Sequence, residues 1–528
     1  MESKLRNNIY SQQNEFSIIP PIHKGGSKSN PANYRPVALT SHIIKVFEKI
    51  IRNKMAAFLE NNNLLNENQH GFRPGRSCLT QLLAHHDNII NLLEQELNVD
   101  VVYLDFAKAF DKVDHNIVLA KAHNLGVRGK LLAWIKEFLS NCTQSVIVNG
   151  VHSSPRPVIS GVPQGSVIGP LIFLILIGDI DENTSHSTVT SFADDNRVKK
   201  GIGCENDAAD LQEDLFHIYQ WSVTNNMQFN DVKFDLLRYG INQDLKDTTS
   251  YVSPSFKLIE EKESVKDLGV TLSSDGTFKV HINNLIESAK NMSSWILRTF
   301  RTRDQTTMLT LYKSLVRPIL EYSSVLWTPI TKGDIQRLEE IQQSFLRKIR
   351  GVSRNYGEAL KQLNLYSLER RRERYIAIQV WKMIEGLAPN LKPALLQQTT
   401  IQQRRGRTLK TPNLNATPSY LQKIKRQSVR CFGVKIFNSL PKHIRNITKA
   451  TVEQFKQKFD QFLRKTSDLP HLRSGANNGR NNSNHLYDIS PLLNNENNTV
   501  VSPNSNPQVQ CNDLSRRLSV EELTTLVL

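Results

Sequence analysis

Cysteine is scarce. The 528 residues hold five, at Cys78, Cys142, Cys204, Cys431 and Cys511, and no two form a C-x-x-C pair. That excludes a zinc knuckle and a disulfide framework and points to a reduced, intracellular protein. Long apolar runs are also lacking. The longest, Val167 to Ile177, contains Pro170 and is too short to cross a bilayer. The opening stretch MESKLRNNIYSQQNEF has no apolar centre of the kind a secretory signal needs, so no membrane is expected among the partners. No tandem repeat is visible. Negative charge is in the minority: 50 Asp and Glu stand against 67 Lys and Arg, for a net charge of +17. Such an excess attracts a polyanion; a merely soluble basic protein is the plain alternative.

Several segments carry a clear period. Ile43, Ile44, Val46, Phe47, Ile50, Ile51, Met55 and Phe58 fall at helical spacing and predict a helix over 43–59. VDVVYLDF, residues 99–106, is a short, nearly continuous, β-rich run and predicts a buried strand. A helix is expected from about Asp114 to Asn124, with Gly126 beyond its end. Val167 to Ile177 predicts a buried helix. Thr188 to Val198 predicts a hairpin around Ala193-Asp194-Asp195-Asn196. Val265 to Leu272 and Thr277 to Ile282 predict a second strand pair around Ser273-Ser274-Asp275-Gly276. From about Ile286 to Ile384 the pattern is helical and basic. Beyond Ser467 the composition turns to Asn, Ser and Pro, which cannot bury enough apolar surface to offset ordering.

Three aspartates stand out by context. Asp105 ends the strand VVYLD, where an unneutralised carboxylate is costly. Asp194 and Asp195 sit side by side at a hairpin tip and repel one another. An ordinary polar turn would also favour Asp there. Divalent ions would relieve both positions. Magnesium suits such a site, because it takes one or two carboxylates and completes its shell with water and substrate phosphates. Two ions, Mg2+ or Mn2+ in its place, clamp the attacking and leaving oxygens of a phosphoryl displacement.

Motifs surround these aspartates in a fixed order. YLDFAKAFDKVDH, SGVPQGSVIGPLIFLI and SFADDNRV resemble palm motifs A, B and C of reverse transcriptases. NYRPVALT, QHGFRPGRSC, NNMQFNDVKF and VKDLGVTLSSDG resemble the finger motifs and motifs D and E. LYKSLVRPILEYSSVLW and FGVKIFNSLPKHIRN resemble the thumb and C-terminal region of the Jockey and CR1 group of non-LTR, LINE-type retrotransposons. The likeness covers roughly residues 18–460. It implies an α+β right hand of fingers, palm and thumb, with a helical basic C-terminal extension and a disordered tail. The expected divisions are 1–17 flexible, 18–272 fingers and palm, 273–395 thumb and helical connection, 396–466 basic region, and 467–528 disordered. The implied activity is RNA-directed DNA polymerisation with an RNA template, a DNA primer or target, and dNTPs. A ribonucleoprotein of the nucleus or cytoplasm is the implied setting. Only 17 residues precede the finger motif, so the N-terminal endonuclease of a full element is expected to be lacking.

By position, the resemblance makes Asp105 and Asp194 the principal metal ligands and Asp195 the second carboxylate of the pair. Phe110 falls where a side chain crowds a ribose 2′-OH; a plain core aromatic is its bland reading. Arg35 falls where a finger residue meets the incoming triphosphate, and the planar fork of arginine suits phosphate oxygens. Lys24 is a second triphosphate candidate. Gln164-Gly165 match the segment beneath the nascent base pair, where glycine permits close approach. Lys233 matches a lysine that protonates departing pyrophosphate. Each has a bland alternative in a solvated lysine or a bare turn. Asn196 and Arg197 depart from the small or hydroxyl residue usual after the Asp pair, and Gly178 departs from the usual Asn before Asp179. Arg370-Arg371-Arg372 and the cations between Arg404 and Arg430 are read as contacts to nucleic-acid phosphates, against solvated helix faces. The competing functions are a catalytically decayed, nucleic-acid-binding remnant and a group II intron maturase.

Overall fold

The computed structural model describes residues 16–140, 142–388, 407–412, 414, 417–468 and 484–486. The chain divides into two compact units, residues 1–268 with 273–276, and residues 269–272 with 277–528.

In the first unit, strands Phe16–Ile19 (β1), Pro21–His23 (β2) and Tyr34–Pro36 (β3) precede helices His42–Asn61 (α1) and Cys78–Glu94 (α2). Strand Asn98–Leu104 (β4) is followed by helices His115–Asn124 (α3) and Gly129–Leu139 (α4). The helix expected after Asp114 forms because the Asp114 side chain accepts from the N–H groups of Asn116 and Ile117, two donors that the first turn leaves free. Strands Thr143–Val148 (β5), Val151–His152 (β6) and Arg156–Pro157 (β7) lead to helix Gly169–Ile177 (α5). The expected hairpin is Thr188–Phe192 (β8) and Asp195–Ile202 (β9). Helix Glu205–Thr224 (α6), strand Asp235–Tyr239 (β10), helix Gln243–Thr248 (α7) and strand Glu260–Glu261 (β11) follow.

β4 is the middle strand of a five-stranded sheet of order β11-β10-β4-β9-β8. It pairs antiparallel with β9 and β10. Val99, Val101, Val102 and Leu104 are all buried, and so are Asn98 and Asp100. Burial of both faces is why the run is continuous rather than alternating. α5 packs into the same core as Val102, Leu104, Phe106 and Val198. Leu171 to Ile177 are each no more than 4% exposed, and burying each such side chain contributes roughly 1.5–3 kcal/mol. Glu48 of α1, fully buried, accepts from the N–H groups of Val167 and Ile168 at 2.6 and 3.1 Å. Its carboxylate thus meets the positive end of α5.

One expectation is corrected. The short strands near 270 are Ser264–Asp267 (β12) and Val270–Ser273 (β13), and Lys279 begins a helix. The turn lies at Leu268 and Gly269, with φ of +43° and +82°. Leucine is uncommon in that region, so the sequence pointed instead to the polar Ser-Ser-Asp-Gly.

The described part of the second unit is helical after β13: Lys279–Thr299 (α8), Gln305–Leu311 (α9), Arg317–Glu321 (α10), Lys332–Leu346 (α11), Tyr356–Gln362 (α12), Leu368–Ile384 (α13), Ser419–Gln427 (α14), Val434–Ser439 (α15), Lys442–Arg445 (α16) and Val452–Lys465 (α17). The arginine run on α13 is not a surface patch, which corrects its reading as a phosphate contact. Arg370 and Arg372 are 0% and 2% exposed, and Arg371 pairs with Glu321. Of the cationic cluster, Arg404 and Arg405 lie outside the described residues. Arg407 pairs with Glu385 at 2.6 Å, while Lys410, Lys423 and Arg426 are exposed. The flexible stretch expected over 1–17 lies outside the described residues except for Ser17 and Phe16. Of the tail expected to lack order, Ser467, Asp468 and Asn484–Leu486 are described: the Ser467 and Asn484 carbonyls accept from Arg370, Asp468 accepts from Ser367, and His485 and Leu486 meet Glu373. The rest of that tail lies outside the described residues. No described helix is long and apolar enough to cross a membrane.

Burial pushes the Glu339 carboxyl up to about 7, opposed by Arg372, the Tyr356 hydroxyl and the Glu369 N–H. An unfolded chain releases this proton near the ordinary 4.5, whereas the folded chain holds it. Stability should therefore fall as pH rises from about 4.5 to 7, by at most roughly 3 kcal/mol. Glu339→Gln should flatten that part of the profile in urea denaturation; an unchanged slope would refute the assignment.

Candidate active site

The β8–β9 hairpin closes on a tight tip. Phe192 pairs with Asp195, and Ala193 adopts φ +54°. In the β4–β9 register Leu104 faces Asn196. One further step brings Asp105 alongside Asp195. The strand-end aspartate and the aspartate pair thus share one end of the sheet.

A loop over residues 68–71, to which the motif likeness assigns no role, holds this tip. Gln69 accepts from the Ala193 and Gly71 N–H groups through one oxygen, each at 2.8 Å. His70 N–H donates to the Ser191 carbonyl, and Ser191 N–H donates to that of Asn68. A Cβ on Gly71 would stand 2.4 Å from the Ala193 nitrogen. The signal was present in QHGF: a polar residue and a glycine within a motif, with no strand or helix to explain them.

The departures after the pair have structural work. Asn196, 1% exposed, accepts from the Ser191 hydroxyl and donates to the Asp194 carbonyl, which locks the hairpin. Arg197 is buried and ion-paired with Asp267. Beyond Gly178, Asp179 accepts from Lys121 at 2.6 Å and from the Trp221 indole at 2.8 Å.

Charge at the tip is crowded. Burial raises the Asp194 pKa, the Asp105 carboxylate raises it further, and Lys24 and Arg35 oppose the rise. Asp195 is pushed up to about 6, first by loss of hydration and then by Asp194, with Arg197 opposing. Lys24 and Arg35, both on the β2–β3 hairpin, are exposed and lie within electrostatic reach of Asp194. Lys233 reaches Asp105 with its Nζ 2.5 Å from Oδ2. It is aimed there by Asn230, whose N–H donates to the Asp105 carbonyl while its own carbonyl accepts from Lys233 N–H.

Phe110 stacks on Phe173 of α5 at 4.5 Å and meets Phe72 edge-on at 6.0 Å. It is half-buried, which leaves part of its ring open. Gln164 donates from its amide to Asp111 at 2.9 Å, and its carbonyl accepts from Ala38 N–H. Gly165 has φ +121°, and a Cβ there would stand 2.7 Å from the Ala38 carbonyl oxygen. Only glycine fits so close an approach.

The donor set of three carboxylates is hard oxygen, suited to a hard divalent cation. Two of the three have raised pKa values, so their negative charge is under-compensated by the protein. Their oxygens do not all converge within 4.8 Å. The one described trio of His, Cys, Asp or Glu that does is His186, Asp210 and Glu213, where Lys200 already pairs with Asp210 at 2.5 Å.

Residues 22–272 match the family described as reverse transcriptase (RNA-dependent DNA polymerase). The chain is 28% identical over 356 residues to a probable RNA-directed DNA polymerase from transposon X-element of Drosophila melanogaster, covering 66% of this chain and 39% of that protein. It is 28% identical over 343 residues to the RNA-directed DNA polymerase from mobile element jockey of the same fly, covering 63% of this chain and 37% of that one. The chain therefore spans about two fifths of the length of these relatives. Among solved structures, telomerase from Candida tropicalis with a fragment of telomeric RNA aligns at TM-score 0.40 and 10% identity, over 87% of this chain and 67% of that one.

Gly71→Ala should force the hairpin tip to move and cost about 1–3 kcal/mol, as overpacking does. Chemical denaturation measures it; a variant as stable as the parent would mean that the loop does not brace the tip.

Proposed function

Since residues 22–272 are a reverse transcriptase domain of the non-LTR, LINE-type group, we propose that the chain is an RNA-directed DNA polymerase that extends a DNA 3′-OH on an RNA template. The observation that carries this is the meeting, at one end of the sheet, of Asp105, Asp194 and Asp195 with Lys24, Arg35 and Lys233. The reaction joins the primer 3′-oxygen to the α-phosphorus of a dNTP and breaks the bond to pyrophosphate.

Asp105, Asp194 and Asp195 would hold two Mg2+ ions, or Mn2+ in their place. When bound, these supply charge neutralisation for the oxygens that attack and leave. Lys24 and Arg35 bind the triphosphate. Their charges already act on Asp194, so phosphate oxygens brought to the tip would meet them. Gln164 and Gly165 shape the floor under the new base pair, with Gln164 steadied by Asp111. Phe110, backed by Phe173, fills the volume beside the sugar and excludes a 2′-OH. Lys233 holds a proton at Nζ beside Asp105 and delivers it to the departing pyrophosphate. The net charge of +17 favours residence on RNA, and we assign the protein to a ribonucleoprotein of the nucleus or cytoplasm.

Asp194→Asn should abolish primer extension on poly(rA)/oligo(dT) while leaving hybrid binding within a few-fold. Equal loss of both would make Asp194 structural. Phe110→Ala should raise ribonucleotide incorporation relative to deoxynucleotide. If Phe110 is only a core aromatic, truncation costs roughly 3–5 kcal/mol of stability and the incorporation ratio does not change.

A further inference from the structure

The second unit contains a short segment received by α13 residue by residue. Asn484 is 2% exposed and Leu486 1%. The Asn484 carbonyl accepts from Arg370 Nη2 at 2.8 Å. Its amide donates to Glu369 at 3.2 Å and to Asp468 at 3.0 Å. His485 Nδ1 lies 3.2 Å from Glu369 and 3.1 Å from Glu373, and its ring meets Phe432 edge-on at 5.8 Å. Leu486 N–H donates to Glu373 at 3.0 Å.

Asn484 is met through both its backbone and its side chain, His485 through its ring and Leu486 through its backbone N–H. The receiving groups also need the segment. Glu369, Arg370 and Glu373 are 4%, 0% and 1% exposed. Arg370 and Glu373 pair with each other at 3.0 Å, which leaves further donors and acceptors to satisfy. Burial raises the Glu369 pKa, Glu373 raises it further, and His485 lowers it. Removing the segment would strip partners from three buried charges.

We propose that α13 carries a peptide-binding site whose ligand is the chain's own Asn484-His485-Leu486, held in cis as a clasp on the helical unit. The described residues on either side of 469–483 meet, because Asp468 bonds both Ser367, at 2.7 and 2.8 Å, and Asn484, at 3.0 Å. The ligand is thereby kept at high effective concentration over its site.

The test uses the full chain. Leu486→Asp should dislodge the segment, lower the melting temperature by about 3 °C or more and speed proteolysis after residue 468. A labelled synthetic peptide spanning 481–489 should then bind this variant saturably and restore its melting temperature. The same peptide carrying Leu486→Asp should do neither. Should Leu486→Asp fail to fold, His485→Ala with the same readouts takes its place. Unchanged melting and proteolysis would overturn the proposal, and so would absence of peptide binding to the variant. A parent chain whose segment docks only in a concentration-dependent dimer would overturn the assignment in cis.

Discussion

Like charge gathered in a small volume is the constraint on which the first unit is organised. Asp105, Asp194 and Asp195 share one sheet end; burial raises the pKa of Asp194 and of Asp195, Asp105 raises Asp194 further, and Asp194 raises Asp195 further. Nothing about a β-hairpin favours this. The tip persists because other elements brace it. Gln69 bonds the Ala193 N–H, Asn196 ties the two strands across the turn, and the Arg197–Asp267 pair lies at the next residue along β9. Each brace is buried, so each acts where water does not weaken it.

The same bracing explains why the site can be both charged and rigid. β4 lends Asp105 the stiffness of a central strand hydrogen-bonded on both sides. α5, apolar on every face and capped by Glu48, supplies the floor on which Phe110 stacks. Cations approach from separate elements, Lys24 and Arg35 from the β2–β3 hairpin and Lys233 from the turn before β10. The carboxylates are thus fixed by the sheet, while the groups proposed to handle phosphate are exposed.

In the helical unit the charged interior has a different purpose. Arg370, Arg372, Glu339, Glu369 and Glu373 are all buried. They are met by one another and by distant parts of the chain, among them the Asn484–Leu486 segment. Arg374 likewise pairs with Asp460 at 2.8 Å through its second nitrogen. A composition rich in arginine therefore need not mean a nucleic-acid surface. Here much of that charge fixes how helices far apart in sequence are joined.

Local pattern determined the α1 helix by its period, the β4 strand and the α5 helix by their continuous apolar runs, and the β8–β9 hairpin by the polar turn between two β-rich stretches; of the residues that set the α1 period, Ile43, Val46, Phe47, Ile50 and Phe58 are nonetheless exposed. Motif order points to the family and nominates Asp105, Asp194, Asp195 and Lys233. Tertiary structure decided what a linear pattern does not encode. It joined Lys233 to Asp105 across 128 positions and gave Gln69 and Gly71 their place under the Asp pair. It moved the turn near 270 to Leu268-Gly269, and it turned the Arg370–Arg372 run inward. The physical reason is common to all four. A backbone preference is written locally, but a charge or a close contact is satisfied by whatever partner the fold brings to it.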